Sequence, residues 1–184
     1  MLTNIYSHER SYSKKYLASI IHRNRLKTII SVLNQLEFEK ELNLTWGDFG
    51  CSDGYIIDKI KNNTKINFNR IVGFDHSSEL IERAKNKSLN NTFFKIFNMN
   101  NIQKADEKFS LVSCFETLEH VGNQKKAMQN LYNHLKKDGI LLIAIPNEIG
   151  FIGLFKFIGR YFIRLKPYGN FFNKKSRLSY FLHV

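Results

Sequence analysis

The chain is predicted to fold as a doubly wound, mostly parallel α/β sheet, and three features of its sequence predict this. Short bulky apolar runs alternate with stretches of helical periodicity. The first such run ends in a glycine-containing turn that leads straight into a helix, and the second ends on an acidic residue followed by serines able to cap a helix. At 184 residues, 43% apolar and 24% charged, the chain has the length and composition of one globular domain, which excludes disordered, collagen-like and low-complexity classes.

Ser13 to about Glu39 carries Leu17, Ile20, Ile21, Ile29, Leu33 and Leu36 at helical spacing among Lys14, Lys15, Arg23, Arg25 and Lys27, so an amphipathic basic helix opens the chain. Leu44 to Phe49 is a short strand closed by Gly50, and a helix follows over Tyr55 to Lys61. Arg70 to Phe74 reads as a buried strand ending at Asp75, with Ser77 or Ser78 capping a helix through Leu80, Ile81 and Ala84. Strands are then expected over Thr92–Phe97 and Phe109–Phe115, a helix over Gln124–Leu135 and a fifth strand over Gly139–Ile145. In such a sheet ligands bind beyond the strands' carboxyl ends, so Asp48, Asp75, Asn98 and the Phe115-Glu116 pair should converge.

The excess of 28 Lys and Arg over 16 Asp and Glu, +12, favours anionic partners: nucleic acid, phosphorylated substrates or an acidic membrane surface. Cys51 and Cys114 form no CxxC pair and sit near no ligand cluster of zinc-finger spacing, which suits a reducing, cytoplasmic setting. No stretch reaches the roughly 18 apolar residues of a membrane span, and the N-terminus lacks a signal-peptide core.

Asp48-Phe49-Gly50-Cys51-Ser52-Asp53-Gly54 lies between the first strand and its helix. It is neither a dinucleotide fingerprint, since Ser52 and Tyr55 stand where glycines would be needed, nor a phosphate-binding loop ending in Gly-Lys-Ser/Thr. It resembles motif I of the class I S-adenosylmethionine-dependent methyltransferases, with Ser52 at the middle glycine. Gly73 to Ala84 resembles that family's second-strand motif, and Phe97-Asn98-Met99 stands where an Asp often meets the adenine. Phe109 to Val121 resembles the fourth-strand motif and Leu135 to Asn147 the turn into strand five, so the motifs follow one another in the family's order.

The resemblance implies a Rossmann-like sheet, S-adenosylmethionine as cofactor, and a cofactor site of Asp48, Gly50, Cys51, Ser52, Gly54, Asp75, His76, Asn98, Met99 and Phe115. Asp75 would bind the ribose hydroxyls, its alternative being a helix cap. Asp48 would hold the loop or receive the cofactor's amino group. Cys51 would be a small filler contributing backbone, and Asn98 either an adenine contact or a turn residue. Phe115 would be pocket wall. His120 is the candidate base for a hydroxyl acceptor, the other reading being a loop lock. Glu116-Thr117-Leu118-Glu119-His120 also has the form seen in some metal-assisted relatives, although no metal site is assigned here. The remaining histidines, His22 among them, read as surface or packing residues, with His76 beside the ribose or adenine.

The expected organisation is one domain: a helical segment over 1–40, a cofactor-binding core over 41–148 and a basic aromatic segment over 149–184. In that last segment Lys156, Arg160 and Arg164 oppose Phe151, Leu154, Phe155, Ile158, Phe162 and Leu165, which fits a lid over the acceptor or contact with an anionic membrane. Val184 leaves no room for the family's terminal antiparallel hairpin, so the sheet edge is expected to be missing or covered by a partner. The expected activity is methyl transfer to a small molecule or a glycan or lipid-linked precursor, at oxygen. The rivals are a non-catalytic cofactor-binding scaffold and an RNA methyltransferase.

Overall fold

The computed structural model describes residues 7–12, 19–38 and 43–145. In chain order these give helices α1 (His8–Tyr12) and α2 (Ser19–Leu33), then β1 (Thr45–Phe49), α3 (Tyr55–Asn63), β2 (Arg70–Asp75), α4 (Ser78–Asn86), β3 (Thr92–Ile96), β4 (Phe109–Phe115), a 3₁₀ turn (Leu118–His120), α5 (Gln124–Asn133) and β5 (Leu135–Ala144). The sheet runs β3-β2-β1-β4-β5, and every pairing is parallel. Connections lead outward in both directions from β1, so the chain reverses direction between β1 and β4, where a crevice opens beyond the strand ends.

Strand alternation sorts the core into two layers. Ile71, Leu111 and Phe115 face one side, where they pack with Leu26, Ile29 and Leu33 of α2, Ile56, Ile57 and Ile60 of α3, and Ile81 and Ala84 of α4. Val72, Phe74, Val112 and Cys114 face the other, against Ala127 and Leu131 of α5. Helices on both faces make the sheet doubly wound, as the alternation of elements predicts.

The expected opening helix is described over Ser19–Leu33, with the short α1 preceding it, and Ile20 and Ile21 are 46% and 41% exposed. The buried stripe of α2 runs through Leu26, Ile29 and Leu33, a narrower face than the apolar positions suggest. Its end is set by tertiary contact: the Asn34 side-chain oxygen accepts from Lys65 N–H at 2.8 Å and from the Thr64 hydroxyl at 3.1 Å. Leu17 falls outside the described residues, as does the whole 149–184 segment with its basic stripe. β5 begins at Leu135 rather than Gly139, because Leu135 pairs with Phe109 before the register shifts so that Ile140 pairs with Leu111. Among the described residues no helix is long and apolar enough to cross a membrane.

Beneath the carboxyl ends of β1 and β2, Phe49 stacks on Phe74 with centroids 4.5 Å apart and meets Phe97 and His134 edge-on at 5.4 and 5.0 Å. Phe49→Ala should therefore cost about 3–5 kcal/mol, read as a lowered urea midpoint for global unfolding.

Candidate functional site

The loop after β1 is shaped by three residues with positive φ: Gly50 at +88°, Ser52 at +52° and Gly54 at +73°. Gly50 also needs its missing side chain, since a Cβ there would lie 2.2 Å from the Thr117 hydroxyl oxygen. The loop is fastened to the end of the neighbouring strand. Phe74 C=O accepts from Gly50 N–H at 2.7 Å and from Cys51 N–H at 2.9 Å. Asp75 Oδ2 accepts from Ser52 N–H at 2.9 Å, while Oδ1 accepts from Ser77 N–H at 2.9 Å. Gly54 N–H turns back to Cys51 C=O at 3.0 Å. With these N–H groups committed internally, the loop offers no nest for a phosphate, in keeping with its departure from nucleotide fingerprints. What it presents is carboxylate.

Asp75 is buried, at 8% exposure, yet each oxygen keeps a lone pair beyond its backbone bond, which suits a vicinal diol. The helix-cap role considered for it falls to Ser77, whose hydroxyl accepts from Leu80 N–H at 3.3 Å. Asp48, at the end of β1, is also buried and accepts at 2.6 Å from the Ser113 hydroxyl, which itself accepts from Trp46 Nε1–H at 2.7 Å. Burial pushes the Asp48 carboxyl up to about 7, the Ser113 hydrogen bond opposes the rise and the Asp75 charge adds to it. A cationic ligand group such as an ammonium would return Asp48 to its charged form. A buried diol acceptor beside a carboxylate seeking a cation fits the ribose and amino-acid ends of S-adenosylmethionine.

Cys51 is fully buried and its thiol pushed well up by burial, so it fills space and anchors through its N–H. Met99 is buried with the Phe49 cluster, and its carbonyl accepts from Asn130 Nδ2 at 3.2 Å. Asn98 stands exposed after β3, its side-chain oxygen taking up Asn100 N–H at 2.9 Å and Asn100 Nδ2 at 3.1 Å. An adenine amino group would have to displace one of these bonds. His76 is largely exposed, with Nδ1 3.4 Å from Asp75 Oδ1. Phe115 is 1% exposed and packs within the α2–α4 layer. His120 closes the 3₁₀ turn half exposed, its Nε2 3.9 Å from Glu119 Oε1. Burial raises the Glu119 carboxyl.

Nothing in the local pattern points to what covers this loop. α1 docks on it: His8 N–H donates to the Ser52 hydroxyl at 3.3 Å and Glu9 N–H to Asp53 Oδ2 at 3.2 Å. A serine at the middle-glycine position thus gains a task that glycine lacks. From α2, His22 Nδ1 lies 2.9 Å from Glu116 Oε2, and Arg25 donates to Glu116 Oε1 at 2.8 Å. Burial raises Glu116, but the hydrogen bonds and charges of His22 and Arg25 outweigh it and hold the carboxyl below its usual range. Glu116, Glu119 and His120 do not converge, and among the described residues no group of three or more His, Cys, Asp or Glu is arranged to hold a metal. The only signal for this cluster was Glu116 itself, since its partners lie more than 90 positions away in the chain.

The methyltransferase-domain family matches residues 20–176, most of the chain. The chain belongs to that family. It is 30% identical over 128 residues to juvenile hormone acid O-methyltransferase of Bombyx mori, covering 68% of this chain and 46% of that protein. It is 28% identical over 156 residues to a ubiquinone biosynthesis O-methyltransferase of Haemophilus ducreyi, covering 76% and 64%. The chain therefore spans about half to two thirds of these relatives' length. An S-adenosylmethionine-dependent methyltransferase from Clostridium acetobutylicum superposes with a TM-score of 0.57 at 22% identity, over 74% of this chain and 55% of that one, a likeness of fold. The fold is that of class I methyltransferases, and the cofactor is S-adenosylmethionine.

Because its folded-state pKa is raised, the Asp48 carboxyl stabilises the protein fully below its unfolded value near 3.8, and that stability is lost as pH climbs through about 7. Asp48→Asn should accordingly match the wild type near pH 4 and exceed it by on the order of 2 kcal/mol near pH 8 in urea denaturation.

Proposed function

We propose that the protein transfers a methyl group from S-adenosylmethionine to an oxygen of a small-molecule acceptor. The observation that carries this reading is the pair of buried carboxylates, Asp48 and Asp75, at the ends of adjacent parallel strands on either side of the Gly50–Gly54 loop. The choice of oxygen is supported by relatives named as O-methyltransferases acting in ubiquinone biosynthesis and on juvenile hormone acid.

Bound S-adenosylmethionine supplies an electrophilic methyl group on a positively charged sulfur. The chain's own residues bind, orient and exclude water. Asp75 takes the ribose hydroxyls and Asp48 the amino group, while Gly50 keeps the backbone clear of the ligand. α1, fastened by Ser52 and Asp53, closes the loop from above. The turn carrying Glu116 to His120 follows β4 at the same end of the sheet and borders the acceptor side, where His120 was the base expected from sequence.

Titration calorimetry with S-adenosylmethionine should give saturable binding. Asp75→Asn, which keeps the side chain's shape, should weaken it by about 100-fold or more through loss of two charge-assisted hydrogen bonds. Incubation with methyl-labelled cofactor and separate pools of phenols, carboxylic acids and amines should label the oxygen acceptors. Labelling confined to amines would overturn the oxygen assignment, and unaltered binding by Asp75→Asn would overturn the site.

A further inference from the structure

The geometry points to His22 as the base that takes the acceptor's proton, with Glu116 holding its imidazole in the required tautomer. This rests on the proposed transfer to oxygen. His22 had no role in the sequence, yet its Nδ1 meets Glu116 Oε2 at 2.9 Å across 94 positions of the chain. A carboxylate oxygen only accepts, so neutral His22 carries its hydrogen on Nδ1 and keeps Nε2 as a free acceptor. Arg25 occupies the other Glu116 oxygen at 2.8 Å, which fixes the carboxylate's direction and keeps it ionised.

The backbone gives the pair its place. Glu116 follows β4 at a φ of +50°, a strained conformation for a side-chain-bearing residue, and its N–H donates to Ala144 C=O at 2.8 Å. It is thereby held at the carboxyl ends of the strands, on the cofactor side. α1 joins this corner to the cofactor loop. Tyr12 packs its ring 5.2 Å from that of His22, while His8, four residues earlier, donates its N–H to Ser52. The charged and titratable groups around His22 are thus Glu116 from the β4 end, Arg25 on its own helix, and His8 and Tyr12 on α1, with Asp53 and Asp75 within electrostatic reach of His8.

The step balances without a further reactant. As an oxygen lone pair of the acceptor forms the new bond to the methyl carbon, the carbon–sulfur bond breaks and sulfur keeps the electron pair. The hydroxyl proton passes to His22 Nε2 and then to water. Glu116 stabilises the imidazolium so formed, as an orienting carboxylate does for a histidine base.

An acceptor's own acidity separates a base from a mere clamp between α2 and the β4 turn. Wild type and His22→Asn are compared on catechol, which stays protonated at neutral pH, and on nitrocatechol, which is ionised there, with cofactor binding of both proteins confirmed calorimetrically. The expected loss is about 100-fold or more in kcat on catechol, shrinking to a few-fold on nitrocatechol, because an ionised oxygen needs no base. Ring-nitrogen NMR of the cofactor-free protein should find the His22 hydrogen on Nδ1, and Glu116→Ala should abolish that preference. Equal losses on both acceptors, a hydrogen on Nε2, or a catechol-selective loss from His120→Asn in place of His22→Asn would overturn the assignment. Wild type that binds the cofactor and methylates neither acceptor, nor any of the phenols and carboxylic acids in the pools above, overturns the oxygen-acceptor reading beneath it instead.

Discussion

The end of β2 gathers the loop after β1, and the site depends on that gathering. One carbonyl, Phe74, and one carboxylate, Asp75, accept the N–H groups of Gly50, Cys51 and Ser52, and Asp75 also takes Ser77 N–H at the head of α4. Two adjacent strand-to-helix turns are thus tied to one residue pair. Removing the Asp75 carboxylate would leave buried donors unsatisfied in both turns, a penalty comparable to the bonds themselves. The arrangement also bears on ligand chemistry: with the N–H groups of Gly50, Cys51, Ser52 and Gly54 spent, the loop has carboxylates to offer, and these suit hydroxyl and ammonium groups better than phosphate.

Packing explains why so small a set of bonds holds its geometry. The Phe49, Phe74, Phe97 and His134 rings fill one face directly under the strand ends, while Trp46 reaches through Ser113 to fix Asp48. Asn130, fully buried on α5, donates to the carbonyls of Met99 and Asn101 and accepts from Gln103 N–H, which sets the turn after β3. Above the strand ends, α1 and α2 bring backbone donors to Ser52 and Asp53, and an imidazole and a guanidinium to Glu116. α1 thus covers the loop after β1 while α2 engages the residue that follows β4.

What was legible in the sequence follows from the range of the interactions involved. Alternation places β2 and β4 within a residue of their observed bounds, because buried parallel strands are written as unbroken apolar runs such as Phe109 to Phe115. The acidic ends of β1 and β2 were legible because strand-to-helix turns are local. Helix packing was less so: Ile20 and Ile21 looked like core on periodicity alone, but the buried face runs through Leu26, Ile29 and Leu33, with Ile30 and Leu36 packed partly buried beside it. Of the Glu116 cluster only Glu116 was legible, since nothing within α2 distinguishes His22 and Arg25 from surface residues until the fold sets them against the end of β4. Ser52 looked like a defect in a glycine motif; its positive φ and its bond from His8 N–H make it a docking point.

A crystal structure of the complex with S-adenosylhomocysteine shows whether Asp75 receives the ribose. Both ribose hydroxyls should lie within hydrogen-bond distance of the Asp75 carboxylate, with the amino group at Asp48 and Ser52 N–H still donating to Asp75. A ribose bound away from Asp75, or a loop released from the end of β2 to receive the ligand, would contradict that placement.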